Sequence, residues 1–218
     1  MVDFANQIPA SRGRLTESLP RHQSKVAEEG GCGVVGFAAS VPVGGRHIFE
    51  PSIQMHNRGN GKGGGIAAAG LVPEQLGVDA HTLKNDYLLQ VALLDPEAEG
   101  QIEGEFIAPH LEIDQKTRVE PVAEHRDVGL EVRPPDIVRY FVRAKDGALN
   151  HFAESTNLTD APQRTVEDEF LYQNSFRLNQ ACYAALGEKK AFVLSHARDL
   201  MIFKIVGYAE QVVQYYGL

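Results

Sequence analysis

The order of apolar and polar positions divides the chain into short segments. Residues 32–41, CGVVGFAASV, form an apolar run rich in small and β-branched residues, which predicts a buried strand. PVGG then marks a turn. The stretch FEPSIQMHNRG predicts a short helix opening near Pro51, since proline is tolerated in a first turn, and stopping at Gly59. GNGKGGG leads into IAAAGLV, a second buried strand. NDYLLQVALL (85–94) and DIVRYFVRA (136–144) read as strands, the latter with arginines interleaved among apolar residues.

TVEDEFLYQNSFRLNQACYAALGEKK carries the clearest helical period, with Val166, Phe170, Leu178, Cys182 and Ala185 on one stripe. Thr165 and Asp168 have the spacing of a capping box, and Gly187 is the expected stop. Cys182 falls on the apolar stripe and reads as a core residue, because free cysteine packs as a small hydrophobe. AFVLSH and LMIFKIVG predict two strands paired across ARD, and YAEQVVQYYGL predicts a final helix. Residues 1–31 are polar and irregular, with four Lys and Arg against four Asp and Glu, and read as a poorly ordered leader or removable propeptide. Residues 32–218 would then be the folded part.

Composition narrows the function. The chain has 218 residues and a net charge of −8, which argues against a nucleic-acid binder and a polybasic membrane anchor. Residues 95–131 hold eleven Asp and Glu against three Lys and Arg, the same net of −8, so the remainder is close to neutral. That segment reads as an acidic surface insertion, with a docking face for a partner as the alternative. Two cysteines are too few for a disulfide framework or a four-ligand zinc site, and point to a reducing compartment, the cytoplasm. No apolar run is long enough to span a membrane as a helix. The eight histidines show no metal-ligand spacing, so no metal is expected, and His56 is the one closest to the glycine loop. Gly59, Gly61 and Gly64 satisfy G-x-G-x-x-G, but the dinucleotide fingerprint needs a strand before and a helix after, and the order here is reversed. The glycines are better explained by close approach of other backbone or of a substrate.

Cys32 stands between Gly31 and Gly33. If the Gly31–Cys32 bond is cut, the thiol gains its own α-amine, whose ordinary pKa of about 7.7–8.0 suits a general base near neutral pH. Pairing a nucleophile with an N-terminal amine is an established solution. Gly31 and Gly33 would leave the cut site and the new terminus unobstructed.

GCGVVGF followed by MHNRGNGKGGGIAAAGL resembles the start of the class II glutamine amidotransferases, which are N-terminal-nucleophile hydrolases. The similarity is strongest over residues 28–72 and nearest to the stand-alone amidotransferase subunit of archaeal-type glutamate synthases and N-methylglutamate synthases. It implies an α+β fold, a four-layer α/β/β/α sandwich, here incomplete. It implies Cys32 as the nucleophile, with Arg58, Gly59 and Gly33 supporting its surroundings. It further implies glutamine as substrate, a synthase subunit as the partner receiving ammonia, and no cofactor for this half-reaction. Two departures are visible. The family's histidine before R-G is Asn57 here, with His56 one place earlier, which leaves the role of both open. The family's H-x-R-x-[ST] arginine and H-N-G oxyanion stretch are not found, and SHARDL has a different continuation. The expectation is an N-terminal part of an amidotransferase domain, inert in isolation, with Arg139, Arg143 and Arg198 the arginines to test if a substrate clamp is present. The alternatives are another N-terminal-nucleophile amidase, or a non-catalytic interaction protein that docks through its acidic segment.

Overall fold

Every residue of β2 (Tyr87–Leu93) is buried, so this strand is covered on both faces. The computed structural model describes residues 4–17, 19, 32–59, 61–184 and 187–218. In chain order its elements are α1 (Phe4–Thr16), α2 (Phe49–Ile53), β1 (Gly64–Ala69), α3 (Pro73–Leu76), α4 (Ala80–Asn85), β2, α5 (Ala98–Ile102), β3 (Leu111–Val119), β4 (Asp136–Ala144), α6 (Asp146–Thr156), α7 (Gln163–Cys182), β5 (Ala191–Ala197), β6 (Leu200–Ile205) and α8 (Ala209–Tyr216). The fold is α+β with two antiparallel sheets: a four-stranded sheet in the order β3-β4-β2-β5, and a two-stranded sheet of β1 and β6.

Strand alternation sends the two faces of the larger sheet into different cores. Leu89, Val91, Val138, Tyr140 and Val142 pack with Phe152 of α6 and with Phe170, Leu171, Leu178 and Cys182 of α7. Leu88, Ile137 and Phe141 pack on the other side with Met201, Phe203 and Ile205 of β6 and with Val212, Tyr215 and Tyr216 of α8. Each such side chain contributes about 1.5–3 kcal/mol on burial. Cys182 is buried on its helix, as its stripe position predicts. Burial pushes its thiol pKa up.

Several expectations change. The run 32–41 is not a strand: it is irregular, with Val34, Phe37 and Val41 exposed. An apolar run becomes a strand only beside a sheet edge that completes its hydrogen bonds, and this one lies on no edge. The second strand forms, but only Gly64–Ala69, and its residues alternate between half-buried and exposed. The helix around Pro51 is broken into α2 and a separate turn at His56–Arg58 that Gly59 closes. The acidic segment 95–131 is not merely inserted, because it supplies β3, an edge strand of the main sheet. Part of its charge is paired internally, with Lys116 and Arg118 both reaching Glu99.

The long helix begins at Gln163, ahead of the expected cap. Asp168 does not cap it; its carboxylate instead accepts from the Tyr87 hydroxyl at 2.5 Å. The helix also ends at Cys182, before Gly187, and Ala185 lies outside the described residues. β5 and β6 follow one another across Asp199, which sits at φ 49°, yet share no ladder. Instead β6 pairs with β1, and Asp199 accepts the backbone N–H groups of Gly70 and Leu71 at 3.1 and 2.6 Å.

Residues 4–16 are helical rather than irregular. α1 lies on a polar, buried strip of α7: Arg12 Nε donates to Glu169 at 2.8 Å, and Gln173 Nε2 donates to Ser11 Oγ at 2.9 Å. Arg12 also stacks over the Tyr172 ring at 4.1 Å. Glu169 and Gln173 are 3% and 2% exposed, so α1 is what makes their burial tolerable.

Two outcomes test this packing. Arg12→Ala in the uncut chain leaves buried Glu169 without its charged partner and should lower unfolding free energy by roughly 1–3 kcal/mol. It should also expose α1 to protease; urea unfolding and proteolysis indistinguishable from wild type would refute the docking. The second concerns Asp86, 1% exposed, whose pKa is raised from 3.8 to about 6, first by burial and then by its hydrogen bond to Asp114. A carboxyl raised on folding stabilises below its unfolded pKa, and that stabilisation is lost as pH rises through about 6. Asp86→Asn, which mimics the protonated form, should therefore be more stable than wild type at pH 7.5 by about 1–3 kcal/mol, with the gap closing below pH 4. Urea denaturation at the two pH values would contradict this if the gap were constant.

Candidate functional site

The glycine loop wraps the start of α8. Gly61 has φ +68°, a left-handed conformation that favours glycine, and a Cβ there would lie 3.0 Å from the Tyr208 ring. A Cβ on Gly64 would lie 2.6 Å from the Tyr208 carbonyl carbon and 2.7 Å from Gly207 O. On Gly65 it would lie 2.6 Å from Phe203 O. The glycines therefore serve the close approach of β6 and α8, and the loop runs from a helical turn into a strand, the reverse of the dinucleotide order.

This approach brings His56 onto α8. Its ring stacks on Tyr208 with centroids 3.9 Å apart, and its Nε2 lies 2.5 Å from Glu210 Oε1. Glu210 is in the first turn of α8, where the helix dipole favours a carboxylate, and is 6% exposed. Gln211 closes the turn: its Oε1 accepts the Tyr208 N–H at 2.8 Å and its Nε2 donates to Val128 O at 2.9 Å.

The same turn receives the Cys32 segment. A Cβ on Gly33 would lie 2.9 Å from Met55 Cβ and 3.1 Å from Arg58 Cβ, so the chain beside Cys32 rests directly on the turn that carries His56, Asn57 and Arg58. Gly33 is thus explained by packing. Cys32 is a free, exposed thiol. Asn57, Arg58 and Gly59 are exposed, whereas His56 is half-buried. Gly31, and with it the far side of the bond ahead of Cys32, lies outside the described residues.

Tyr208 and Glu210 carry no signal in the sequence. An acid in a first helical turn is an ordinary feature, and a partner 154 positions away leaves no local trace. Of the three arginines, two are occupied. Arg143 Nε donates to Asp114 at 2.7 Å and also faces Asp86 and Glu112. Arg198 pairs with Glu167 and Asp168, donates to Asn85 O at 3.0 Å, and lies 3.9 Å over the Tyr87 ring. Arg139 has no acidic partner among the described residues. The hollows beside α6 and beside Arg198 do not include Cys32, His56 or Arg58. Among the described residues no group of three or more His, Cys, Asp or Glu is placed to hold a metal ion, and no helix is long and apolar enough to cross a membrane.

No family model matches the chain. It is 27% identical over 176 residues to an "uncharacterized protein" of Archaeoglobus fulgidus, an alignment covering 80% of this chain and 38% of that relative. The chain spans well under half the length of the relative it matches.

The glycine reading has an internal control. A Cβ on Gly63 would meet nothing within 4 Å. Gly64→Ala should therefore destabilise by about 1–3 kcal/mol or more through overpacking, while Gly63→Ala stays within about 0.5 kcal/mol of wild type. Equal effects of the two substitutions on urea unfolding would contradict the close approach.

Proposed function

We propose that this chain is the nucleophile-bearing part of a class II glutamine amidotransferase, an N-terminal-nucleophile hydrolase. The observation that carries the reading is the seating of Gly33 on Met55 and Arg58, since it joins in space the two sequence motifs that resemble the family. The larger fold is compatible with the proposal. Helices cover one face of the four-stranded sheet and the two-stranded sheet covers the other, which are three of the layers that an α/β/β/α sandwich requires.

In this reading cleavage after Gly31 frees the Cys32 amine. The amine takes the thiol proton, and the thiolate attacks the glutamine side-chain carbonyl. The tetrahedral oxyanion collapses, the proton passes to the leaving nitrogen, and ammonia departs, leaving a thioester. Water, deprotonated by the same amine, hydrolyses the thioester to glutamate. Ammonia passes to a synthase partner, and the half-reaction uses no cofactor. Arg58, Gly59 and Gly33 shape the surroundings of Cys32. His56 is a positioning residue: its contacts with Glu210 and Tyr208 fix the turn on which the Cys32 segment rests.

A second reading is favoured by one observation. Val34, Phe37, Val41 and Val43 are exposed in a row directly after Cys32, which suits a segment that pairs with another chain and does no chemistry.

Labelling separates the two. A glutamine analogue carrying an electrophilic carbon should modify Cys32 alone and be blocked by excess glutamine, because Cys182 is buried with its thiol pKa raised. In the assembly purified from its native host, where a partner completes the site, ammonia release from glutamine should disappear in Cys32→Ala. Labelling of Cys182 first, indifference to glutamine, or turnover surviving Cys32→Ala would overturn the catalytic reading.

A further inference from the structure

α1 is covered with a helical period. Phe4, Gln7, Ile8 and Leu15 are half-buried and Ser11 is buried, whereas Pro9, Ala10, Gly13 and Arg14 are exposed. Positions 4, 7, 8, 11 and 15 share one face of a helix, and α1 lies on α6 and α7. Phe4 and Ile8 pack against the core beneath.

The polar part of the contact is a connected chain of hydrogen bonds. Arg12 Nε donates to Glu169 Oε1 at 2.8 Å and Arg12 Nη2 donates to Oε2 at 2.5 Å, a bidentate pair. Gln173 Nε2 donates to Glu169 Oε1 and to Ser11 Oγ, each at 2.9 Å. Ser11 Oγ in turn donates to Ile8 O at 2.9 Å. The Arg12 guanidinium also lies on the face of the Tyr172 ring. These apolar anchors and hydrogen bonds all come from residues 4–15. Pro9 and Gly13 give α1 little helical preference of its own, and a helix of 13 residues is marginal in water. Its helical form therefore depends on the surface that it lies on.

We propose that the α6–α7 face is a recognition site for an amphipathic helix whose occupant is α1, bound without need of the covalent link, so that a chain cut between α1 and Cys32 keeps α1 as a separate polypeptide. The mode is that of a helix read by anchors one turn apart, here Phe4, Ile8 and Arg12. Glu169 gives the site its selectivity. It is 3% exposed, so a helix without the arginine would leave a buried carboxylate unpaired. The site stands whether or not Cys32 is a nucleophile. The amidotransferase reading adds only the occasion, a cut after Gly31, and the experiment makes its own cut.

A recognition sequence for a specific protease replaces residues 21–27 of the full chain, which is cut after folding and checked by denaturing mass spectrometry. Gel filtration and native mass spectrometry should then find α1 still bound, one to one. A labelled synthetic peptide of residues 1–19, supplied in excess, should exchange into its place. A peptide with Arg12→Ala should compete roughly thirtyfold or more less well than wild type. A peptide with Arg14→Ala, whose bond to Ser155 O is at the surface, should stay within about threefold. It loses the same charge, so it separates recognition by Glu169 from attraction of any cation to a chain of net charge −8. Because these substitutions sit in the peptide, the folding of the cut chain is not at stake. Loss of α1 on gel filtration, failure of the peptide to enter, equal competition by the Arg12→Ala and wild-type peptides, or an equal loss from Arg14→Ala would each overturn the proposal.

Discussion

The structure depends on a strand that must be covered on both faces. β2 is buried throughout, so its odd-numbered residues require the α6 and α7 layer and its even-numbered residues require the two-stranded sheet and α8. β6 does not pair with β5 but with β1, and the small sheet they form packs on the second face together with α8. The glycines make the arrangement possible. With side chains at Gly64 and Gly65, β1 could not come against β6 and the start of α8, and the turn carrying His56 would lose its support.

The site inherits its geometry from that packing. His56 is fixed by Tyr208 and Glu210 because α8 has been drawn up to the glycine loop. The Cys32 segment is fixed at Gly33 because the His56–Arg58 turn has been fixed first. The thiol itself is exposed.

Local signals made part of this legible. β2 follows from an apolar run, β4 from apolar residues interleaved with arginines, and Cys182 from its stripe. What was illegible depends on partners far away in the chain. Glu169 and Gln173 lie off the apolar stripe of their helix, and nothing near them in the chain announces that Arg12 and Ser11 arrive from α1 to cover them. α1 itself carries an internal proline and no acid in its first turn, so its residues show little helical preference. AFVLSH and LMIFKIVG read as a hairpin because they are adjacent, but β1 offers β6 a better ladder. CGVVGFAASV reads as a strand because it is apolar, but composition cannot say whether an edge is there to receive it. In the candidate site, Cys32, Gly33 and Arg58 were readable through motif resemblance, while Glu210 and Tyr208 required the fold.

In the function proposed above, Cys32 acts with its own α-amine as base. The most direct measurement is the intact mass and N-terminal sequence of active protein made in its native host. That proposal predicts a polypeptide beginning at Cys32, shorter by residues 1–31. Full activity in protein whose Cys32 nitrogen is still joined to Gly31 would contradict it.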